Sequence, residues 1–312
     1  MSPSTHKPNH LSFLALAATC ILWGTTWTVS KLAMDKAGIP ALQLAYIRQC
    51  LAATCFLGYF LIIKRTPLPR WNDIGWLLGM SILMMVMANG LSTMGLDHIP
   101  AGMASLLGAT YPLCVVLIEW IFFNQRKLNK GTMLGIFVGL GGVSLVFSNQ
   151  LNISSKEPVL LGFMLSVAAL LSWSFGTVFL SRNKRPMNPY YAMGWQMLLG
   201  SAMVFLLSQL AQKQVPISSI TWEGWAYVFY LVVAGSVLSF IAFIYTLKTL
   251  PVALSSMYAY INPIVAMITA YFFIGDTISW TTLMGALITL GGVYLVKRSS
   301  TPKESPMAEP EL

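Results

Sequence analysis

Pro100-Ala-Gly-Met-Ala-Ser-Leu-Leu-Gly-Ala-Thr-Tyr-Pro112 and Pro251-Val-Ala-Leu-Ser-Ser-Met-Tyr-Ala-Tyr-Ile-Asn-Pro263 are one pattern written twice. The flanking prolines align at an offset of 151, with Ser105 against Ser256. With one residue of slack downstream, Gly135, Gly141-Gly142-Val143 and Leu145-Val146 fall on Gly285, Gly291-Gly292-Val293 and Leu295-Val296. Two apolar helices, the first with an internal proline, thus recur half a chain apart. Such an internal period decides the architecture before any other feature.

Composition says where that architecture sits. Of the 312 residues 56% are hydrophobic and only 9% are charged, against about 25% charged in a soluble domain. This chain lacks the polar groups to cover a water-facing surface, so it reads as an all-α integral membrane protein. The net charge of +9 would suit nucleic acid if it were clustered on one face. Instead the basic residues sit in short loops between apolar runs, the pattern that encodes membrane topology. Cys20, Cys50, Cys55 and Cys114 all lie within apolar runs without C-x-x-C spacing, and read as small packing residues.

Ten apolar runs are each near the ~20 residues that cross ~30 Å of hydrocarbon. The first spans Leu11 to Met34, longer than a signal-peptide core and without a small-residue cleavage site. The others fall at 41–63, 72–94, 100–123, 131–148, 159–181, 190–210, 224–247, 251–274 and 280–297. Residues 1–10 form a polar N-terminal tail, 149–158 a linker loop, and 298–312 a disordered tail rich in Pro, Ser and Glu. With a cytoplasmic N-terminus, the inner segments hold fourteen Lys and Arg, among them Lys64, Arg65, Arg126, Lys184 and Arg298. The outer loops hold only Lys36, Lys156 and Lys213. Both termini are therefore expected in the cytoplasm. Each repeat, 11–148 and 159–297, holds five helices, an odd number, so the second half enters from the opposite face. Inverted repeats of this kind are a recurring architecture of secondary transporters, with the substrate site between the halves near the midplane.

Ionisable groups within membrane spans are functional candidates by default. Arg48 lies seven residues into the second run, roughly 10 Å below the outer boundary at about 1.5 Å per residue. It either clamps a substrate carboxylate or satisfies backbone carbonyls and snorkels outward. Gln196 occupies the matching place in the second half and is read with it. Glu119 is the acid deepest in an apolar run. Its two readings are a proton-coupling carboxylate of raised pKa and a group one turn from the inner end that reaches water. Lys31 reads as a snorkelling residue.

Pro112 and Pro263 remove a backbone donor and free the carbonyl four residues earlier. Paired helix breaks in two halves point to a transport site, and the polar residues before them, Tyr111 and Asn262, are expected to line it. Trp23, Thr26, Asn89, Trp173, Tyr245 and Tyr258 complete the expected substrate-binding set, since aromatic faces with a few polar groups make a small-molecule site. Tyr260 is a further candidate of the same kind. Trp71, Trp76, Trp222, Trp225 and Trp280 read as interfacial residues, and the paired glycines as points of close helix packing. No H-E-x-x-H, G-x-S-x-G or P-loop occurs, and His6, His10 and His98 are scattered. No enzyme activity, metal or cofactor is expected.

With the repeat, Trp23-Gly24-Thr25-Thr26, Arg48 with Gln196, the two proline helices and the paired Gly-Gly-Val endings in hand, the chain resembles the drug/metabolite transporter superfamily, specifically its EamA-type members. The resemblance runs from Leu11 to Lys297. It implies a ten-helix bundle with inward termini around a central cavity bounded chiefly by helices 1, 3, 4, 6, 8 and 9. It also implies movement of amino acids, related metabolites or drug-like solutes, frequently outward across a bacterial inner membrane. The family pattern often places an acid after helices four and nine; Asp276 fills the second place, whereas Gln125 occupies the first.

The reading is a secondary transporter of small metabolites, with amino acids or related compounds first. A multidrug exporter of the same fold and a membrane-embedded enzyme are the alternatives. The expected partners are a small-molecule substrate and the lipid bilayer, without nucleic acid; a homodimer is compatible with the pattern.

Overall fold

A computed structural model describes residues 10–123, 129–153, 156–182, 187–211, 214–250 and 258–300. Among the described residues the chain is helical without strands. Nine of the described helices are long and apolar enough to cross a membrane, and one further described apolar helix is shorter. In chain order they are α1 (His10–Asp35), α2 (Ala41–Ile63), α3 (Trp71–His98), α4 (Ala101–Phe123) and α5 (Lys130–Ile153). Then follow α6 (Lys156–Arg182), α7 (Pro189–Leu210), α8 (Trp222–Thr246), the shorter α9 (Tyr258–Phe273) and α10 (Trp280–Ser300). The N-terminal half of the second repeated phrase, 251–257, lies outside the described residues, as do Gln125, 1–9 and 301–312. Of the expected tails, His10 begins α1 and 298–300 is helical as the end of α10.

Polar residues at the joints set the helix starts. Asn188 accepts from Tyr190 N at 2.9 Å with Pro189 in the first turn, and Thr221 accepts from Gly224 N at 3.2 Å. Each satisfies a backbone donor that a helix start leaves unpaired. The stretch 149–158, expected as a linker loop, is helical at 149–153 and again at 156–158. The polar residues there extend α5 and α6 beyond their apolar runs, because helix propensity does not end where hydrophobicity does.

The packing of the helices repeats itself. α2 lies against α7, α4 against α9 and α5 against α10. α1 packs on α9 as α6 packs on α4, and α3 packs on α6 as α8 packs on α1. Replacing each helix in these seven pairs by the one five places along returns the same seven pairs. The α5–α10 pair is closest, because glycines face each other: a Cβ on Gly142 would stand 2.5 Å from Thr289 N, and one on Gly292 would overlap the Gly139 backbone. Close approach through glycine is how helices gain contact where lipid offers no hydrophobic drive. The outer faces are apolar, with Leu210 80%, Ile62 76% and Phe272 74% exposed. An apolar girdle on this scale is a lipid-facing surface.

Three of the described helices carry wide i→i+5 turns: Gly58–Ile63 ends α2, while Ser81–Gly90 in α3 and Val233–Leu238 in α8 fall at equivalent places. Ser236 Oγ donates to Leu231 O five residues back, at 3.1 Å. Such widened turns recur at functional sites because they re-aim the residues that follow. Here Asn89 lies within the wide stretch of α3, and Phe240 comes just after that of α8.

Candidate functional site

A cavity of about 200 Å³ lies between α1, α2, α3, α4, α6, α8 and α9. Its polar wall carries Ser30 from α1, Arg48 from α2, Asn89, Ser92 and Thr93 from α3, Ser105 from α4 and Ser166 from α6. Its aromatic wall carries Trp23 and Trp27 from α1, Trp173 from α6, Phe240 from α8 and Tyr258 from α9, joined by Thr26, Tyr111 and Asn262. At a rise of about 1.5 Å per residue, Ser30 sits about 8 Å and Trp23 about 18 Å from the Asp35 end of α1. The polar wall is therefore nearer the end marked by Lys31 and Asp35, and the aromatic wall forms the floor.

Trp23 organises that floor. Its ring is 5.2 Å from Tyr258, 5.4 Å from Phe240 and 4.8 Å from Phe243, and meets Trp173 edge-on at 6.5 Å. Edge-to-face arrangements at these separations are the favoured geometry of aromatic pairs. Side-chain hydrogen bonds pin the wall between helices. Tyr111 Oη donates to Thr177 Oγ1 at 3.2 Å, tying α4 to α6. The Asn262 amide, with its nitrogen turned toward them, donates to Cys20 O at 2.9 Å and Tyr258 O at 3.1 Å, tying α9 to α1. Gln49 Nε2 reaches Met85 O and Asn89 Oδ1, each at 3.2 Å, and so orients Asn89.

Arg48 is the one charged side chain on the cavity wall among the described residues. It has no ion pair there, and its Nε is buried without a hydrogen-bond partner. A guanidinium offers five donors in a planar fork that fits a carboxylate bidentately. Leaving such a group unpaired away from water is costly, so the arrangement suits an anion that arrives and leaves.

The two proline helices differ. α4 is interrupted at Thr110, between Ala101–Ala109 and Tyr111–Phe123, with Thr110 Oγ1 donating to Leu107 O at 2.7 Å. α9 runs unbroken through Pro263. Each proline still removes the amide that would serve the carbonyl four residues back. Those residues, Gly108 and Ala259, both line the cavity.

Eight of the ten expected binding residues line this one cavity: Trp23, Thr26, Arg48, Asn89, Tyr111, Trp173, Tyr258 and Asn262. Gln196 does not. It is 1% exposed, with Oε1 buried and unpartnered among the described residues, because α7 packs its face on α2 while the longer Arg48 side chain reaches past that seam. Tyr245 is also off the wall, since five residues beyond Phe240 turn it ~140° around α8. Glu119 stands about two turns past Tyr111 and does not line the cavity. Sequence reading missed Trp27, Ser30, Ser92, Thr93, Ser105, Ser166 and Phe240. The spacings Trp23, Trp27, Ser30 and Asn89, Ser92, Thr93 each mark one helix face, and that periodicity is the signal that finds them. A second hollow beside Asp276 carries no cationic or aromatic side chain among its described lining residues.

An apolar helical bundle around a solute-sized, aromatic-floored cavity is the build of a membrane transporter. The EamA-like transporter family model matches residues 10–148 and 160–298, and the chain belongs to that family. It is 30% identical over 288 residues to "Uncharacterized inner membrane transporter YedA" of Escherichia coli (strain K12), covering 91% of this chain and 90% of that one. "Protein PecM" of Dickeya dadantii (strain 3937) is 26% identical, with 92% of both chains covered. "Uncharacterized transporter YoaV" of Bacillus subtilis (strain 168) is 23% identical, covering 90% and 95%. A solved structure titled "Crystal structure of protein" superposes with a TM-score of 0.63 over 93% of this chain and 98% of that one. At 17% identity that likeness is one of fold. The family and the relatives' names indicate transport rather than catalysis.

Proposed function

We propose that the chain is a secondary transporter that carries small carboxylate-bearing metabolites, amino acids or related compounds, outward across the inner membrane. It would cross the bilayer ten times as two inverted five-helix halves, 11–148 and 159–297, with both termini cytoplasmic. The self-mapping of the helix pairs supports the two halves, and the bias of Lys and Arg toward alternate loops supports the orientation. Access would alternate as one half rocks against the other around the cavity.

One observation carries the cargo class: Arg48 faces the cavity as its single charge, without an ion pair among the described residues. A carboxylate would complete it. The eight wall residues from Trp23 to Asn262 serve as the substrate contacts, with Pro112 and Pro263 shaping the backbone beside them. A multidrug exporter is the weaker reading, because about 200 Å³ is below the ~300–1,000 Å³ of pockets that hold drug-sized ligands.

Purified protein in liposomes preloaded with unlabelled amino acids and carboxylates is expected to exchange them for labelled external solute. Folded protein that exchanges no member of a broad panel would overturn the reading. Glu119→Gln in the same liposomes tests coupling: its position off the cavity predicts an unchanged response to an imposed pH step, and loss of that response would make Glu119 the proton carrier.

A further inference from the structure

The cavity has two ends of different chemistry, and they differ in what they omit as well as in what they hold. Arg48, Asn89, Ser92 and Thr93 make the polar end, and Trp23, Trp173, Phe240 and Tyr258 the aromatic floor. No Asp or Glu lines the cavity among the described residues. The wall therefore carries one fixed positive charge and no fixed negative one.

We infer that the site selects monocarboxylates with an apolar, ring-sized body and makes no use of a substrate amine, so that aryl carboxylates outrank the matching amino acids. This rests on the transporter reading above and narrows its cargo. A monoanion at Arg48 brings the cavity to neutrality, whereas a zwitterion leaves it with the same uncompensated positive charge it had when empty. A free amine adds a second positive charge to the first. In a site lined by Trp, Phe and Leu side chains, where charges are poorly solvated, each uncompensated charge is penalised. The aromatic floor then discriminates by body. Its rings take a flat apolar group edge-on in the geometry they already adopt with one another. A dicarboxylate would press its second charge into that floor.

The carbonyls beside Pro112 and Pro263 are the groups that would receive an ammonium, yet neither carries a formal charge to balance it. Asn89 Oδ1 already accepts from Gln49. The polar end keeps donors in Arg48 and the hydroxyl of Ser92, which is what a carboxylate needs, while Thr93 Oγ1 already donates to Asn89 O at 2.9 Å.

The test uses the unmodified, purified protein and three probes that share a phenyl ring: 3-phenylpropanoate, phenylalanine and phenethylamine. Competition against a labelled exchange substrate in liposomes, and the shift each probe causes in the thermal midpoint, report affinity. The expected order is 3-phenylpropanoate first, phenylalanine weaker by about tenfold or more, and phenethylamine without effect. Succinate is expected to compete weakly as well. Arg48→Gln should remove the preference for 3-phenylpropanoate, and the probe series on the unmodified protein stands even if that variant does not fold. Phenylalanine binding as tightly as 3-phenylpropanoate, or phenethylamine binding best, would overturn the inference while leaving a transporter. Folded protein that responds to no solute at all would overturn the transporter reading and this inference together.

Discussion

The two halves of the molecule share an outline and differ at the places where the outline meets the cavity. Arg48 on α2 lines the cavity, while its counterpart Gln196 on α7 is buried in the α2–α7 seam. Asn89 lies within the wide turns of α3, and Phe240 follows those of α8. α4 breaks before Pro112, and α9 continues through Pro263. What repeats builds the bundle; what departs from the repeat makes one end of the cavity polar and the other aromatic. An exactly symmetric site would present both halves alike. Here the charge comes from the first half alone, while both halves supply rings, Trp23 and Trp27 from the first and Trp173, Phe240 and Tyr258 from the second.

The largest effect on stability is expected where the repeat is structural. Gly292→Val would drive a side chain into the Gly139 backbone, and overpacking of a close contact costs about 1–3 kcal/mol or more. Gly291, its neighbour, has open space where a Cβ would stand, so Gly291→Ala should stay within about 0.5 kcal/mol. Thermal midpoints of the two purified variants check the pair; equal losses would mean the α5–α10 contact is not glycine-dependent.

Phe240→Asn makes the second half copy the first at the cavity. Burying an aromatic ring is worth about 1.5–3 kcal/mol, so affinity for an aryl carboxylate should fall about tenfold or more. Affinity for a short carboxylate such as acetate should change much less. Competition curves for both solutes would show it, and parallel losses would remove the aromatic floor from recognition.

The smallest effect concerns the end of the bundle near Lys31. Lys31 Nζ donates to Leu96 O at 3.0 Å and Asp97 O at 2.8 Å, and pairs with Asp35 at 3.6 Å. Asp276, in the loop between α9 and α10, is half-buried beside this cluster. Burial holds its carboxyl above the usual carboxylate range and the Asp35 charge adds to that, while Lys31 and the backbone near Ala101 pull it down. A carboxyl raised on folding binds its proton more readily in the folded state, so stability falls as pH rises through the window from its unfolded to its folded pKa. Asp276→Asn lacks this titration. Its thermal midpoint should exceed that of the unmodified protein slightly at neutral pH, with the gap closing on acidification. A gap that widens in acid would reverse the sign assigned to Asp276.

The bundle was legible in the sequence because a membrane span must be a long apolar helix, and the run from Leu11 to Lys297 spells those spans directly. Much of the cavity was legible too, since polar and aromatic residues such as Asn89, Tyr111 and Trp173 stand out against apolar neighbours. Gln196 misled because matching positions in two repeats need not share an environment: α7 meets α2 where Arg48 meets the cavity. Tyr245 misled because depth alone does not say which way α8 faces. Ser92, Thr93 and Trp27 were passed over as ordinary residues, although their spacing from Asn89 and Trp23 put them on the same faces. The wide turns of α3 and α8 carry no proline, and a single glycine in each, Gly90 and Gly235, does not distinguish them from the other glycine-containing helices.

The asymmetry between Arg48 and Gln196 can be measured in one assay, the exchange of a labelled monocarboxylate by equal amounts of reconstituted, folded protein. Arg48→Gln should slow exchange about hundredfold, in line with the ~2–5 kcal/mol lost when one member of a buried charge pair is removed. Gln196→Ala should leave it within about twofold of the unmodified protein, as for a side chain that does not meet the cargo. Equal rates for Arg48→Gln and the unmodified protein would contradict the assignment of Arg48 as the carboxylate-binding group.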